Sequence, residues 1–170
     1  VDSLARVTRT DEVVFVFDTD AGFGEALADR LRRFMIRVDA EITVEAAERS
    51  EPSDDAERAR IAAGWPRLGH EIEPGETIPA VTGVVPLAVC FTKGCYPGQE
   101  LVERMDSRGA DAPRSVRIVD VDDGASVGAP VLAGDGSEVG RLTSVAPDGT
   151  TALAVVKRGA DIGDAPVHLR

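Results

Sequence analysis

In the stretch FTKGCYPGQE, residues 91–100, Cys95 lies between Gly94 and Gly98, with Lys93 two residues ahead and Pro97 two residues behind. A thiol does chemistry as its thiolate, so the question is whether this setting favours the anion. Pro97 suits the first turn of a helix, where its missing N–H costs nothing, and the pattern predicts a helix over Gln99–Asp106 with Cys95 just ahead of it. Free amides and the positive end of the helix dipole, together with Lys93, favour negative charge there. Gly94 and Gly98 remove side-chain bulk and permit close backbone approach. Cys95 is therefore expected to be an accessible thiol of lowered pKa. A small residue at a tight strand-to-helix turn is the alternative that local sequence leaves open.

Around this thiol the other polar residues divide unevenly. Gln99 either caps the helix or meets a ligand edge, and Glu100 and Arg104, four apart, are expected to form a surface ion pair worth a few tenths of a kcal/mol. Lys93, Arg104, Arg108 and Arg114 lie close enough in sequence to build a local anion pocket. Cys90, alternating within LAVCF, is expected to be an inert core residue. Trp65, between Gly64 and Pro66, reads as a hydrophobic anchor for a loop or as a face for a planar ligand. His70 and His168 sit in separate segments, without the carboxylate spacing of a metal site or a Ser-His-Asp triad. No general base and no metal centre is expected.

The elements that must position these residues begin with strand, turn, strand and helix. VDSLARV alternates weakly, TRTD turns, and EVVFVF reads as a buried strand. Asp18, Thr19 and Asp20 offer capping oxygens to AGFGEALADRLRRFMI, where Phe23, Leu27, Leu31 and Phe34 make one apolar stripe. A strand over Arg37–Val44 is expected to complete a β-β-α-β unit, residues 1–44. Residues 45–58 are acidic and read as a solvated linker or fraying helix. A Gly- and Pro-rich segment follows, with a helix end at Gly64 and a short strand at LAVCF, so that residues 59–112 carry the cysteine motif. From 113 to 170 the chain changes to five short strands, SVRIVDV, APVLA, EVGRLTSVA, TTALAVVKR and PVHLR, separated by DDG, GDG and PDG turns, as in a small β-barrel or sandwich.

Composition narrows the partners. The 170 residues carry a net charge of −11, which opposes loose attachment to nucleic acid or to an anionic membrane. Two cysteines cannot form a disulfide framework or a four-thiolate metal site within one chain, and a reduced, cytoplasmic setting fits best. No charged-then-apolar leader opens the sequence and no apolar run approaches the roughly 20 residues of a membrane span. GFGEAL falls inside a helical pattern, so a phosphate-binding loop is not expected.

Residues 93–100, K-G-C-Y-P-G-Q-E, resemble the signature K-G-C-Y/F-x-G-Q-E of the YgfZ-type folate-binding proteins, relatives of the glycine cleavage T-protein, with every fixed position present. RIAAG with WP, RLG and TIP upstream, and GRLTS followed by ALAVVKR downstream, extend the resemblance from Arg60 to Arg158. It implies an α+β fold, a partial T-protein-like domain followed by a small C-terminal antiparallel β-barrel. It also implies a tetrahydrofolate-binding accessory protein for iron-sulfur cluster assembly or repair, indirectly supporting tRNA modification, with iron-sulfur client or assembly proteins as partners. Cys95 matches the family's functional cysteine. Lys93, Tyr96, Gln99 and Glu100 match the rest of the signature, and Arg104, Arg60 and Trp65 complete the expected folate-binding set. Ala62 stands where many members carry glutamate, and the family's chains are longer, so this one is expected to be a shortened relative or a fragment. Two rivals follow: an aminomethyltransferase like the T-protein, whose essential aspartate aligns with Ser3 beside Asp2, and an interaction scaffold that has lost its folate pocket.

Overall fold

The computed structural model describes residues 1–45, 52–96, 98–107 and 112–162. It is a mixed α+β chain with two separate antiparallel sheets. The first is a two-stranded ribbon, β1 (Ala5–Arg9) against β2 (Phe15–Thr19), in a register that runs from Ala5 opposite Thr19 to Arg9 opposite Phe15. Period-2 alternation puts Val7, Phe15 and Phe17 on one face. EVVFVF reads as a buried strand, yet Phe15 and Phe17 are 53% and 42% exposed and Val7 opposite them 54%, because among the described residues the two strands have no layer to bury against. Arg9 partly covers the face, its guanidinium 5.9 Å from the Phe15 ring centroid.

α1 (Gly24–Arg32) is shorter than the apolar stripe suggested. Leu27 and Ala28 are buried, whereas Phe34 lies beyond the helix and stays exposed beneath Arg30. The capping oxygens are used elsewhere: the Asp20 carboxylate accepts the Leu68 N–H at 2.8 Å, and the Thr19 hydroxyl donates to the Leu4 carbonyl at 2.8 Å. Arg37 adopts φ 59°, a turn conformation, and residues 37–45 contain no strand. The β-β-α-β unit is therefore β-β-α.

The acidic stretch is also more structured than a linker. α2 (Asp54–Ala62) begins at Ser53, whose hydroxyl accepts the Ala56 N–H at 3.2 Å, and Asp54, Asp55 and Glu57 suit the positive end of its dipole. Residues 46–51 of that stretch lie outside the described residues. Gly64, at φ 65°, ends the helix as expected and lets the Trp65 N–H return to the Arg60 carbonyl at 3.0 Å. A 3-10 turn at Pro79–Val81 and the short helix α3 (Val85–Ala88) follow. α3 begins LAVCF where a strand was expected, since Pro86 suits a helix's first turn and cannot donate to a strand ladder. α4 (Gln99–Ser107) closes this half.

The second sheet joins β3 (Arg114–Asp120), β6 (Thr151–Lys157), β5 (Glu138–Val145) and β4 (Pro130–Leu132), in that spatial order and all antiparallel. Among the described residues it is an open sheet and does not close into the expected barrel; the fifth expected strand, PVHLR, lies outside them. Its inner face carries the main core, with Val131, Leu142, Ala152, Ala154 and Val156 almost fully buried. Ile61 of α2 packs with Leu153 and Ala146, fastening the helix to the sheet. No helix among the described residues is long and apolar enough to cross a membrane.

Gly140 permits the closest approach in this sheet. A Cβ there would stand 2.5 Å from the Val155 carbonyl oxygen and 2.9 Å from the Val156 Cα, both backbone atoms that cannot swing aside. Gly140→Ala is expected to cost about 1–3 kcal/mol, the usual scale of overpacking. Urea unfolding checks it, and an unchanged midpoint would show that β5 and β6 separate freely.

Candidate functional site

The cysteine loop is organised from the first turn of α4. Gly98, at φ 83°, takes a left-handed conformation that glycine adopts without strain, and its carbonyl accepts the Leu101 and Val102 N–H groups at 3.1 and 3.3 Å. Gln99 turns back on its own loop. Its Oε1 accepts the Tyr96 N–H at 3.4 Å and its Nε2 donates to Glu103, so this side chain braces the loop against the first turns of the helix. Pro97 lies outside the described residues. Lys93 Nζ sits 4.5 Å from the centroid of the Tyr96 ring, holding its cation over an aromatic face beside Cys95.

Cys95 is exposed in the open loop between Lys93 and the helix start. A Cβ at either Gly94 or Gly98 would meet nothing within 4 Å, so packing does not require those glycines; at Gly98 the backbone conformation does. Glu100 and Arg104 are both exposed, and among the described residues the ion pair expected between them does not form. Val102, on the same helix, turns inward and is buried.

Cys90 departs from expectation. It is exposed, with Sγ 3.4 Å from the Thr92 hydroxyl oxygen. Hydrogen bonding from that hydroxyl, then from the Thr92 and Lys93 amides, holds the Cys90 thiol below its ordinary range, and the Lys93 charge adds to this. Alternation within LAVCF suggested a core position because a strand was assumed; Thr92 two residues on was the overlooked signal. In a Cys95→Ser chain, iodoacetamide alkylation should therefore show a midpoint that moves upward when Thr92 is replaced by valine. Identical pH profiles with and without the hydroxyl would remove this account.

Arg60 belongs to a different structure. All five of its N–H donors are engaged: Nε and Nη2 with Glu57 at 3.0 and 2.8 Å, Nη1 with the Trp65 carbonyl at 2.7 Å and Glu71 at 3.2 Å, and Nη2 with the Ser144 hydroxyl at 2.7 Å. Ser144 donates to Glu71 at 2.6 Å, the Arg67 N–H gives Glu71 another bond at 2.9 Å, and the Arg67 guanidinium pairs with Glu57. The pairing of β5 with β6 shifts register between Leu142 and Ser144, the kind of irregularity that re-aims a side chain, and Ser144 is buried within this network. Arg60 thus ties α2 to the sheet and keeps no donor for a ligand. Trp65 is 40% exposed, and its carbonyl serves the same network.

The Arg60 hydrogen bonds, ahead of opposing desolvation, pull the Glu57 carboxyl below its usual range. A depressed carboxylate pKa stabilises the folded state above the unfolded-state value and loses that contribution as pH falls through the folded one. Stability should therefore decline with acid below about pH 4.5, the ordinary value for this group, and Glu57→Gln should flatten the decline. Urea midpoints between pH 3 and 7 would decide it; parallel curves for both chains would count against the assignment.

A separate groove is lined by residues of α4 and β3, with a volume of about 470 Å³. Pro79, Val85, Val102 and Met105 give it apolar walls, and Arg114 and Arg117 of β3 line its sheet side. None of the described residues from 90 to 99 lines it. The expected set is thus divided three ways: Lys93, Cys95, Tyr96 and Gln99 share one exposed loop, Arg60 and Trp65 serve the polar network, and Arg114 borders the groove. Arg108 lies outside the described residues.

No family model matches the chain. Over 121 residues it is 33% identical to the human protein described as the mitochondrial iron-sulfur cluster assembly factor IBA57. That match covers 68% of this chain and 33% of the human protein, so the chain spans about a third of the length of the curated relative it matches. The likeness is to a protein of iron-sulfur cluster assembly.

Proposed function

We propose that this chain is an accessory factor for iron-sulfur cluster assembly or repair that works with tetrahydrofolate and presents Cys95 as its functional thiol. The observation that carries the reading is the K-G-C-Y-P-G-Q-E loop, which leaves Cys95 exposed beside the Lys93–Tyr96 pair, in a chain 33% identical to an iron-sulfur assembly factor. An exposed thiol on a loop can meet a client protein directly. The acidic surface fits an indirect part in tRNA modification, through iron-sulfur enzymes that handle the RNA themselves. Two free exposed cysteines fit a reducing compartment, either cytoplasm or mitochondrial matrix.

The cysteine loop is a poor ligand pocket by itself: Gln99 is spent on its own helix start and Arg60 on the polar network. The groove between α4 and β3 fits the size and charge of a folate better. Aminomethyl transfer finds little support, since Asp2, the carboxylate beside Ser3, is held by Arg30 at 2.9 Å.

The test is complementation of a bacterial strain that lacks its own relative of this chain. Expression should restore the activity of an iron-sulfur enzyme such as aconitase, together with iron-sulfur-dependent tRNA modification. A folded, well-expressed chain that leaves both at the empty-vector level would overturn the proposal.

A further inference from the structure

We infer that the groove between α4 and the edge of β3 is a binding site for a small anionic molecule with an apolar body, gripped by Arg114 and Arg117. The inference goes beyond the folate reading, because it follows from the groove's own chemistry and holds for any ligand of that class.

The groove's volume of about 470 Å³ falls in the range that takes a drug-sized ligand, roughly 300–1,000 Å³. Its walls divide by character. Val102 and Met105 from α4, with Pro79 and Val85 from the preceding turns, offer an apolar surface, while Arg114, Ser115 and Arg117 stand on the sheet side. Among the described residues β3 is an edge strand of its sheet, so this wall also borders backbone that no described strand covers on that side.

Charge identifies the occupant. The chain carries a net charge of −11, and Arg30, Arg32, Arg58, Arg60, Arg67 and Arg141 each hold a carboxylate within 4.0 Å. Arg114 and Arg117 form no ion pair and no side-chain hydrogen bond among the described residues, although acids outnumber bases 30 to 19. Two guanidiniums with no partner among the described residues, beside an apolar wall, suit a carboxylate, sulfonate or phosphate attached to an apolar body, because a guanidinium binds such oxyanions through paired N–H donors. An uncharged apolar ligand would leave those donors unused, and a bare inorganic anion would leave the apolar wall wet.

The test uses the whole chain and three probes: 8-anilinonaphthalene-1-sulfonate, which is apolar and anionic; Nile red, apolar and uncharged; and folinate, a stable folate. Saturable binding of the sulfonate is expected, weakened roughly ten-fold or more in Arg114→Ala/Arg117→Ala, as for losing charge-assisted hydrogen bonds. Nile red affinity should change less than about two-fold in the same variant, because it senses only the apolar walls. Arg114→Lys/Arg117→Lys should recover part of the loss by keeping the charge without the planar fork. Both positions are exposed, and circular dichroism and thermal unfolding should match the parent chain. Displacement of the sulfonate by folinate would support both this inference and the folate reading. Arginine-dependent sulfonate binding that folinate leaves untouched would support the groove and count against folate as its occupant. Folinate binding by calorimetry that ignores both arginines, with no arginine-dependent sulfonate binding, would keep folate and overturn the groove. Sulfonate binding that is non-saturable, or equal in parent and double variant, would also overturn it.

Discussion

Glu71→Ala is expected to lower the unfolding free energy by roughly 3–5 kcal/mol, the scale for removing one partner from a buried ion pair. The Glu71 side chain is fully buried, and its two oxygens serve three donors from separate parts of the chain: Arg60 of α2, the Arg67 backbone and Ser144 of β5. Alanine would leave the Arg60 guanidinium, itself only 11% exposed, short of one counter-charge, and would strand the Arg67 N–H and the Ser144 hydroxyl. Glu57 still holds Arg60, which keeps the loss from being larger. Against a typical total of about 5–15 kcal/mol, such a loss would partly unfold many chains of this size. Ser144→Ala, which removes one neutral partner, should cost about 1–2 kcal/mol. Urea unfolding at pH 7 reads both, and a double-mutant cycle between Glu71 and Ser144 should show coupling, since they share a hydrogen bond. A Glu71→Ala loss under about 1 kcal/mol would mean that water reaches the site and solvates the stranded donors.

That network was illegible in the sequence for a physical reason. Glu57, Arg60, Arg67, Glu71 and Ser144 are individually ordinary surface residues, and only the path of the chain brings the last of them, 73 residues beyond Glu71, into contact. Local signals fared better. Pro and Gly around 97–98 and the amphipathic run behind them marked α4 closely, and the alternating, turn-punctuated stretch after 113 resolved into β3 to β6. β-branched and aromatic content alone does not say whether a strand is covered: the Val- and Phe-rich β2 reads as a core strand, yet among the described residues its ribbon has no packed layer. The same assumption misplaced Cys90: a period of two was read from five residues, and Pro86 turned the stretch into a helical turn that leaves the thiol outside. In the candidate site, the loop holding Cys95 was legible because its turn chemistry is local. The arginine-lined groove was not, because it forms where α4 meets the edge of a sheet.

In cells lacking their own relative of this chain, Cys95→Ala is expected to return iron-sulfur enzyme activity to the empty-vector level while Cys90→Ala keeps most of it. Stability cannot produce that difference, since both cysteines are exposed and neither is part of the buried core. Thr92 and two loop amides favour the Cys90 thiolate, which makes Cys90 a demanding control for this comparison. A transfer or client-binding role depends on what surrounds the sulfur as well as on its charge. Cys95 stands next to Tyr96 with the Lys93 cation over its ring, at the end of a loop closed by Gln99. A lower pKa also makes a thiolate intrinsically less nucleophilic, so the lowered pKa of Cys90 does not by itself assign the function to its sulfur. Iron-sulfur enzyme activity per unit of soluble chain, with each variant's thermal transition measured alongside, separates the cases. Equal loss in both variants would point to a thiol pair acting together, and loss confined to Cys90→Ala would assign the function to the thiol that Thr92 activates.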